Sequence, residues 1–328
     1  MTLNQADSLS PKPILPQVSV IVPIYNGETD IPDLIRCLQA QTYPVEQVEY
    51  LLVNNSSRDR TAAILAEAAS VASSQGITIK PLQENKIQSS YAARNTGIRV
   101  AKSDLLAFTD ADCRPQSDWL EQLIAPFVDE DIGIVVGEIA GLPGDTLLEK
   151  HAEHYQVLSQ QHTLAHPFCP YGQTANLAIR RQAFKEVGLF RPYLTTGGDA
   201  DICWRIQRQS NWKLKFISTA VVQHRHRSTI KEYESQWRRY GRSNLYLHEL
   251  HGVDLMREKT TPEYAYMFGR WLLKELPINS VKAMAGKIPA IEIISTPIGI
   301  FGAQARSQGQ RLAQLPENAR EIEWLQDQ

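Results

Sequence analysis

The sequence predicts an α/β fold: a mostly parallel central sheet flanked by helices, followed by a helical C-terminal extension. Three observations predict it. Apolar, β-branched runs alternate with helically spaced apolar residues through the first 128 positions, which is the rhythm of a parallel sheet covered by helices. Beyond that stretch, strand-like and helical segments mix without clean alternation. From Thr229 onward most of the chain carries helical periodicity.

Taken in order, Val18 to Ile24 (VSVIVPI) reads as a strand that stops at Asn26-Gly27, and Ile31, Leu34, Ile35 and Leu38 repeat at helical spacing. The unit recurs: strand Tyr50 to Val53, polar loop Asn54 to Asp59, helix from about Thr61 to Ala72, strand near Ile77 to Leu82. A helix through Ala92 to Ala101 then leads to the strand Asp104 to Thr109, which ends in Asp110-Ala111-Asp112. Next come a helix Trp119 to Phe127, a strand Ile132 to Ile139, a helix Leu147 to Gln161 and a strand Thr174 to Ile179. Asp199 to Gln209 places Ile202, Cys203 and Ile206 on one helical face. Lys213 to Ile217 alternates as a strand, and Ala220 to Val222 reads as a further one. Residues 1–17 are polar and proline-punctuated, and read as a flexible tail.

The chain has 328 residues, 43% hydrophobic and 21% charged, so neither a disordered segment nor a fibre describes most of it. Lysine plus arginine (34) against aspartate plus glutamate (36) gives a net charge of −2, which removes a whole-chain argument for nucleic-acid binding. Cys37, Cys113, Cys169 and Cys203 show no CxxC spacing and read as reduced thiols. Met1 to Gln17 has no apolar core of a signal peptide, and no stretch reaches ~18 uninterrupted apolar residues. Cytoplasmic residence is expected, with peripheral contact on the cytosolic face of a membrane compatible with it.

Ligands of open α/β sheets bind at the carboxyl ends of the strands, which here carry Tyr25-Asn26, Asn54 to Asp59, and Asp110-Ala111-Asp112. Asp110 and Asp112 are one residue apart, so in an extended segment both carboxylates point the same way and offer hard oxygen ligands to one Mn²⁺ or Mg²⁺. Such ions are held by one or two carboxylates plus substrate phosphates, which suggests a diphosphate substrate. Taken alone, the pair reads first as turn or capping residues.

Six segments, in this order, resemble the family 2 glycosyltransferases of the GT-A fold: VSVIVPIYNGE (Val18 to Glu28), LLVNNSSRDRT (Leu51 to Thr61), ARNTGI (Ala93 to Ile98), FTDADCRP (Phe108 to Pro115), TANLAIRRQAFKEVGLF (Thr174 to Phe190) and GGDADICWRI (Gly197 to Ile206). The resemblance covers roughly residues 18 to 245, implying a Rossmann-like GT-A domain there and a helical extension over 246–328. It implies metal-dependent, inverting transfer of a sugar from a UDP-, GDP- or dTDP-linked donor to an acceptor hydroxyl. A glycan or lipid-linked acceptor is implied, in cell-surface polysaccharide or glycolipid synthesis.

Matched residue by residue, the resemblance places Pro23, Tyr25, Asn26 and Glu28 in the first loop around the nucleotide, with Tyr25 able to stack on the base. Tyr25 packing against the next helix is the structural alternative. Asp59 corresponds to the aspartate of the second donor loop, whereas Asn54 stands where the family more often has aspartate and so lacks its charge. Arg94 is implied near the donor phosphates or ribose, with a salt bridge as the alternative. Asp110 and Asp112 match the DxD pair, Asp110 nearer the nucleotide and Asp112 the direct metal ligand. Asp199 is the implied catalytic base, and Gly198 replaces the family's usual glutamate. The competing reading makes Asp199 a helix N-cap and Asp201 a first-turn anion.

In His224-Arg225-His226-Arg227, the resemblance favours His224 as a metal or phosphate contact. Arg238, Arg239 and Arg242, interleaved with Trp237 and Tyr240, suit phosphates or a polyprenyl-diphosphate acceptor, or else a solvated helix face paired with Glu232 and Glu234. Tyr264, Met267, Phe268, Trp271 and Leu272 form an apolar stripe that reads as core; alternatively this stripe, or Ile288 to Phe301, lies on a membrane surface. Two rival functions remain at this level: a nucleotidyltransferase, which lacks support from any Gly-rich phosphate loop, and a non-catalytic nucleotide-sugar-binding scaffold.

Overall fold

The computed structural model describes residues 15–326; residues 1–14 of the expected tail lie outside the described residues. In chain order the elements are β1 (Val18–Ile24), α1 (Ile31–Gln39), β2 (Val48–Asn54), α2 (Thr61–Ser74), β3 (Thr78–Gln83), α3 (Ser90–Val100), β4 (Leu105–Phe108), β5 (Cys113–Pro115) and α4 (Trp119–Ile124). Then follow β6 (Ile132–Gly141), α5 (Leu147–His154), α6 (Gln161–Leu164), β7 (Leu177–Arg180), α7 (Arg181–Val187), α8 (Gly198–Gln209) and β8 (Lys213–His224). The helices α9 (Ile230–His251), α10 (Thr261–Arg270), α11 (Leu276–Met284) and α12 (Ser295–Leu312) complete the chain, with a π turn at Trp271–Glu275 joining α10 to α11.

One eight-stranded sheet runs β3-β2-β1-β4-β7-β6-β8-β5. Its first four strands are parallel, and β1 and β2 are buried along their whole length, which is why they read as unbroken apolar runs. From β4 the sheet turns mixed: β4–β7, β7–β6 and β8–β5 are antiparallel, β6–β8 parallel. That change is the loss of rhythm visible in the sequence past residue 128.

Pro23 lies inside β1 and is buried, not in the loop that follows. The Ile21 carbonyl faces β4, accepting from Thr109 N–H at 3.5 Å, and the Ile24 carbonyl faces β2, accepting from Asn55 N–H at 2.7 Å. Pro23 therefore turns its missing N–H toward the β4 side, beyond the last β1–β4 pair at Ile21–Phe108, where no ladder bond is lost.

Two further expectations change. The helix expected over Leu147 to Gln161 stops at His154, because Gln156 takes a positive φ of 47° and the Gln160 amide turns inward to bond the carbonyls of Gln173 and Asn176. The two strands expected over 213–217 and 220–222 are one strand, β8, irregular between Ile217 and Val221. Buried Asn176 braces that irregularity, donating to the Ala220 and Glu138 carbonyls at 2.8 Å each and accepting from Trp119 Nε1 at 2.8 Å.

The expected boundary at residue 245 falls inside α9, and α12 packs along that helix. Gly241 and Gly309 make the approach possible: a Cβ at either position would overlap backbone of the opposite helix. The chain end then returns to the sheet domain, where Leu189 N–H donates to the Glu323 carbonyl at 2.8 Å and Asn95 donates to its carboxylate at 3.2 Å.

Candidate active site

The carboxyl ends of β1 and β2 meet through side chains that cap each other's loops. Asn26, at φ 49°, accepts from Arg58 N–H at 2.9 Å, and its own N–H donates to Ser57 Oγ at 2.9 Å. Glu28 N–H donates to Asp59 Oδ2 at 3.0 Å, and the Glu28 carboxylate accepts from Arg60 N–H at 3.0 Å. Asn54 accepts from Ser57 N–H at 3.0 Å through its carbonyl, a turn bond that needs an acceptor but no charge. Asn26, Glu28, Asn54 and Asp59 thus build one double loop. Tyr25, beside them, is 52% exposed rather than packed against a helix, leaving its ring face open.

Arg94 on α3 is 3% exposed and donates to Asp110 Oδ1 at 2.6 Å, so these two expected donor contacts are first of all partners of each other. Its Nε has no partner among the described residues, and its guanidinium lies 5.5 Å from the centre of the Tyr91 ring.

Asp112 meets His224 through strand pairing: β5 and β8 align Cys113 opposite His224, which sets His224 Nε2 3.3 Å from Asp112 Oδ1. His224 Nδ1 lies 2.7 Å from the Arg225 carbonyl. A carbonyl only accepts, so Nδ1 carries hydrogen, and in the neutral ring the Nε2 lone pair faces a carboxylate oxygen. Two acceptors facing each other call for a proton or a cation between them. Arg227 Nη1, 3.9 Å from Asp112 Oδ2, supplies only distant compensation. Cys113 Sγ completes a cluster whose potential ligand atoms lie within 4.8 Å of one another, but burial holds its thiol well above the ordinary range, and neutral sulfur is a poor ligand for a hard cation. Asp112 and His224 offer an oxygen and a nitrogen that fit Mn²⁺ or Mg²⁺, while Asp110 Oδ1 is bonded to Arg94. His226 points elsewhere, to Glu153 at 3.1 Å.

The helix α8 begins at Gly197, its N-cap, with φ 80°. Asp199 is therefore the second helical residue and not the N-cap. Its carboxylate accepts from the Thr174 hydroxyl at 2.8 Å, a partner the sequence did not single out. Burial raises the Asp199 carboxyl, and Arg94, the Thr174 bond and Arg239 offset this only in part. Asp201 is fully buried and is a structural anchor, bonded to Arg205 and Arg191 at 3.0 Å each and to His251 at 2.9 Å.

A cavity of about 530 Å³ brings these parts together: Asp199, Thr174, Arg94, Asp110 and His224 line it, with Arg227 and Arg239. Within the basic segment, Trp237, Arg239 and Tyr240 face this cavity while Arg238 pairs with Glu234 at 2.8 Å along its own helix. The segment is thus divided between the cavity wall and an ion pair along the helix face.

Residues 19–188 match the profile "Glycosyl transferase family 2", and residues 105–294 match "Glycosyl transferase family group 2". Among curated proteins, the chain is 30% identical over 245 residues to glycosyltransferase AglE of Haloferax volcanii, covering 74% of this chain and 78% of that one. It is 29% identical over 157 residues to an undecaprenyl-phosphate 4-deoxy-4-formamido-L-arabinose transferase of Pseudomonas fluorescens, spanning 47% of this chain and 44% of that protein. Among solved structures, the mannosyltransferase PcManGT of Pyrobaculum calidifontis, in complex with GDP-Man and Mn²⁺, superposes with a TM-score of 0.61 at 18% identity, over 90% of this chain and 88% of that one. GalNAc-T7 with UDP, GalNAc and Mn²⁺ gives 0.52 at 20% identity, over 65% and 44%. These likenesses place the sheet in the GT-A fold, and with the profile and the Haloferax relative in agreement the chain belongs to glycosyltransferase family 2.

Proposed function

We propose that this glycosyltransferase is metal-dependent and inverting, and moves a sugar from a nucleotide-sugar donor to a hydroxyl of a glycan or lipid-linked acceptor. The observation that carries the reading is the single cavity on which the Asp199 carboxylate and the Arg94–Asp110 and His224 groups all open. The nucleotide lies over the double loop of Asn26, Glu28, Asn54 and Asp59, with Tyr25 free to stack on the base. Asp112 and His224 would hold Mn²⁺ or Mg²⁺, and a bound ion disperses the charge that grows on the departing diphosphate. Arg227 and Arg239 add fixed positive charge on the same wall. Asp199 takes the acceptor proton as the acceptor oxygen bonds to the anomeric carbon and the sugar–phosphate bond breaks, its electron pair leaving with the diphosphate. A single displacement from the face opposite the leaving group inverts the anomeric centre.

Both departures from the family pattern have local explanations that leave the catalytic groups in place: Asn54 makes a turn bond, and Gly198 makes room for Tyr91. The names of the Pseudomonas relative and of the GDP-Man and Mn²⁺ complex support the lipid-linked acceptor, the nucleotide sugar and the divalent ion. Among the described residues no helix is long and apolar enough to cross a membrane. Instead, the segment α10–α11 leaves Tyr266, Phe268, Leu272, Leu273, Val281 and Met284 exposed beside Lys274 and Lys282, a composition suited to the surface of an anionic bilayer.

The test is a thermal-shift screen of UDP-, GDP- and dTDP-sugars with and without Mn²⁺ or Mg²⁺, since a ligand of the folded state raises the midpoint. One donor class should stabilise the protein in a metal-dependent way and release a nucleoside diphosphate on turnover. Release of pyrophosphate, or a shift unaffected by chelation, would overturn the reading.

A further inference from the structure

A second cavity, of about 430 Å³, lies between α5, α9, α10 and α12. Tyr155, Val157, Trp237 and Arg306 line both this cavity and the active-site cavity, so the two share a wall. Among the described residues, four buried polar atoms from side chains lining the second cavity have no hydrogen-bond partner: His151 Nδ1, Trp237 Nε1, Tyr264 Oη and Arg306 Nε. Leaving a buried polar atom unpaired is unfavourable, so four gathered around one space mark a place where a ligand completes the bonding. Arg306 is already oriented, because its Nη2 donates to Asn244 Oδ1 at 3.1 Å.

The lining also specifies the ligand. Among the described residues no carboxylate lines this cavity, whereas Arg306, Arg257 and Lys259 do. The Arg257 charge is taken up by Glu263 at 2.6 Å, and of the three cations Arg306 is the one that also lines the active-site cavity. Much of the remaining surface is apolar, from Val157, Tyr233, Trp237 and Ala303.

We infer that this cavity is the acceptor subsite and takes an amphiphile in which a hydrocarbon body is joined through a phosphate to the sugar that presents the reacting hydroxyl. The hydrocarbon fills the second cavity and the phosphate oxygens accept from Arg306 Nε and the Tyr264 hydroxyl. The sugar then crosses the shared wall toward Asp199. This placement rests on the reading of Asp199 as the base, and it adds where the acceptor enters and which groups select it.

Gly299 offers a clean probe. It lies on α12 in the cavity lining, and a Cβ there would meet no atom within 4 Å, so Gly299→Leu projects into the open space while improving helix propensity. The experiment is calorimetric titration of the full chain, without donor, using decyl phosphate below its micellar concentration, inorganic phosphate, and decyl maltoside as the neutral amphiphile. Decyl phosphate should bind at least tenfold more tightly than either control, and Gly299→Leu should weaken it at least tenfold while leaving nucleotide-sugar binding within twofold of the parent. Arg306→Met should erase the preference for decyl phosphate over decyl maltoside. Equal affinity for decyl phosphate in the parent and Gly299→Leu, or inorganic phosphate binding as tightly as decyl phosphate, would overturn the inference. Because these titrations contain no sugar donor, a failure of glycosyl transfer is read separately and falls on the proposed function alone.

Discussion

The backbone N–H of Gly198 donates to the Tyr91 hydroxyl at 3.0 Å, and the Tyr91 ring stands 2.7 Å from where a Cβ on residue 198 would project. Glycine therefore occupies the position that carries glutamate in the resembled motif because an aromatic ring from α3 already fills the space. In a double-mutant cycle followed by urea denaturation, Gly198→Ala should destabilise the parent by about 1–3 kcal/mol through overpacking. In a Tyr91→Ala background the same change should be neutral or stabilising, since alanine is the better helix residue. Equal costs in both backgrounds would refute the steric account.

Asp199 must be ionised to accept a proton, and its burial pushes the carboxyl above the usual aspartate range against the pull of Arg94, Thr174 and Arg239. The acid limb of kcat/KM should lie above the ordinary aspartate value of about 3.9. Arg239→Gln removes one of the charges that favour the carboxylate, so it should move that limb to higher pH. A limb that stays in place would show that Arg239 does not act on the base.

Asp201 has the opposite electrostatics within the same helical turn. Burial alone would raise its carboxyl, but Arg205, His251 and Arg191 hold it far below the ordinary range. The folded pKa is depressed, so the associated stability is present above the unfolded value of about 3.9 and drains away as pH falls below it. Asp201→Asn leaves Arg205 buried without its counter-ion and should cost about 3–5 kcal/mol at neutral pH. Chemical denaturation measures this, and a cost below about 1 kcal/mol would contradict the anchoring role.

Leu273 and Met284 are each 81% exposed on the α10–α11 segment. Co-sedimentation with vesicles containing anionic lipid should retain the parent and lose the Leu273→Glu/Met284→Glu variant, with thermal stability unchanged because neither side chain is packed. Equal retention of both proteins would exclude this face as the contact.

Much of the site was legible because its residues sit at strand ends, which apolar runs followed by polar clusters mark along the chain. The double loop of Asn26, Glu28, Asn54 and Asp59 follows directly from that pattern. Pro23 lies within the apolar run Val18 to Ile24 that already marked β1, and it was the family resemblance that put it in the following loop. The meeting of Asp112 with His224 depends on the antiparallel register of β5 and β8, segments about 110 residues apart whose pairing leaves no local signal. Thr174 escaped notice because a lone threonine before a strand is ordinary until α8 is laid against it. The apolar stripe at Phe268 and Leu272, readable as core, proves exposed, since periodicity reports an apolar face and not what covers it.

The account stands on Asp199 acting on the acceptor and not on the donor, and the most direct measurement is a comparison of donor affinity and transfer rate in Asp199→Asn. The substitution keeps the shape and can keep a bond to Thr174, while relieving a charge that burial disfavours. Its thermal midpoint should therefore equal or exceed the parent's. Donor affinity should stay within about threefold while transfer falls by about 10²–10⁴-fold, the usual worth of a positioned base. Transfer at the parent's rate with donor bound normally would contradict the central claim.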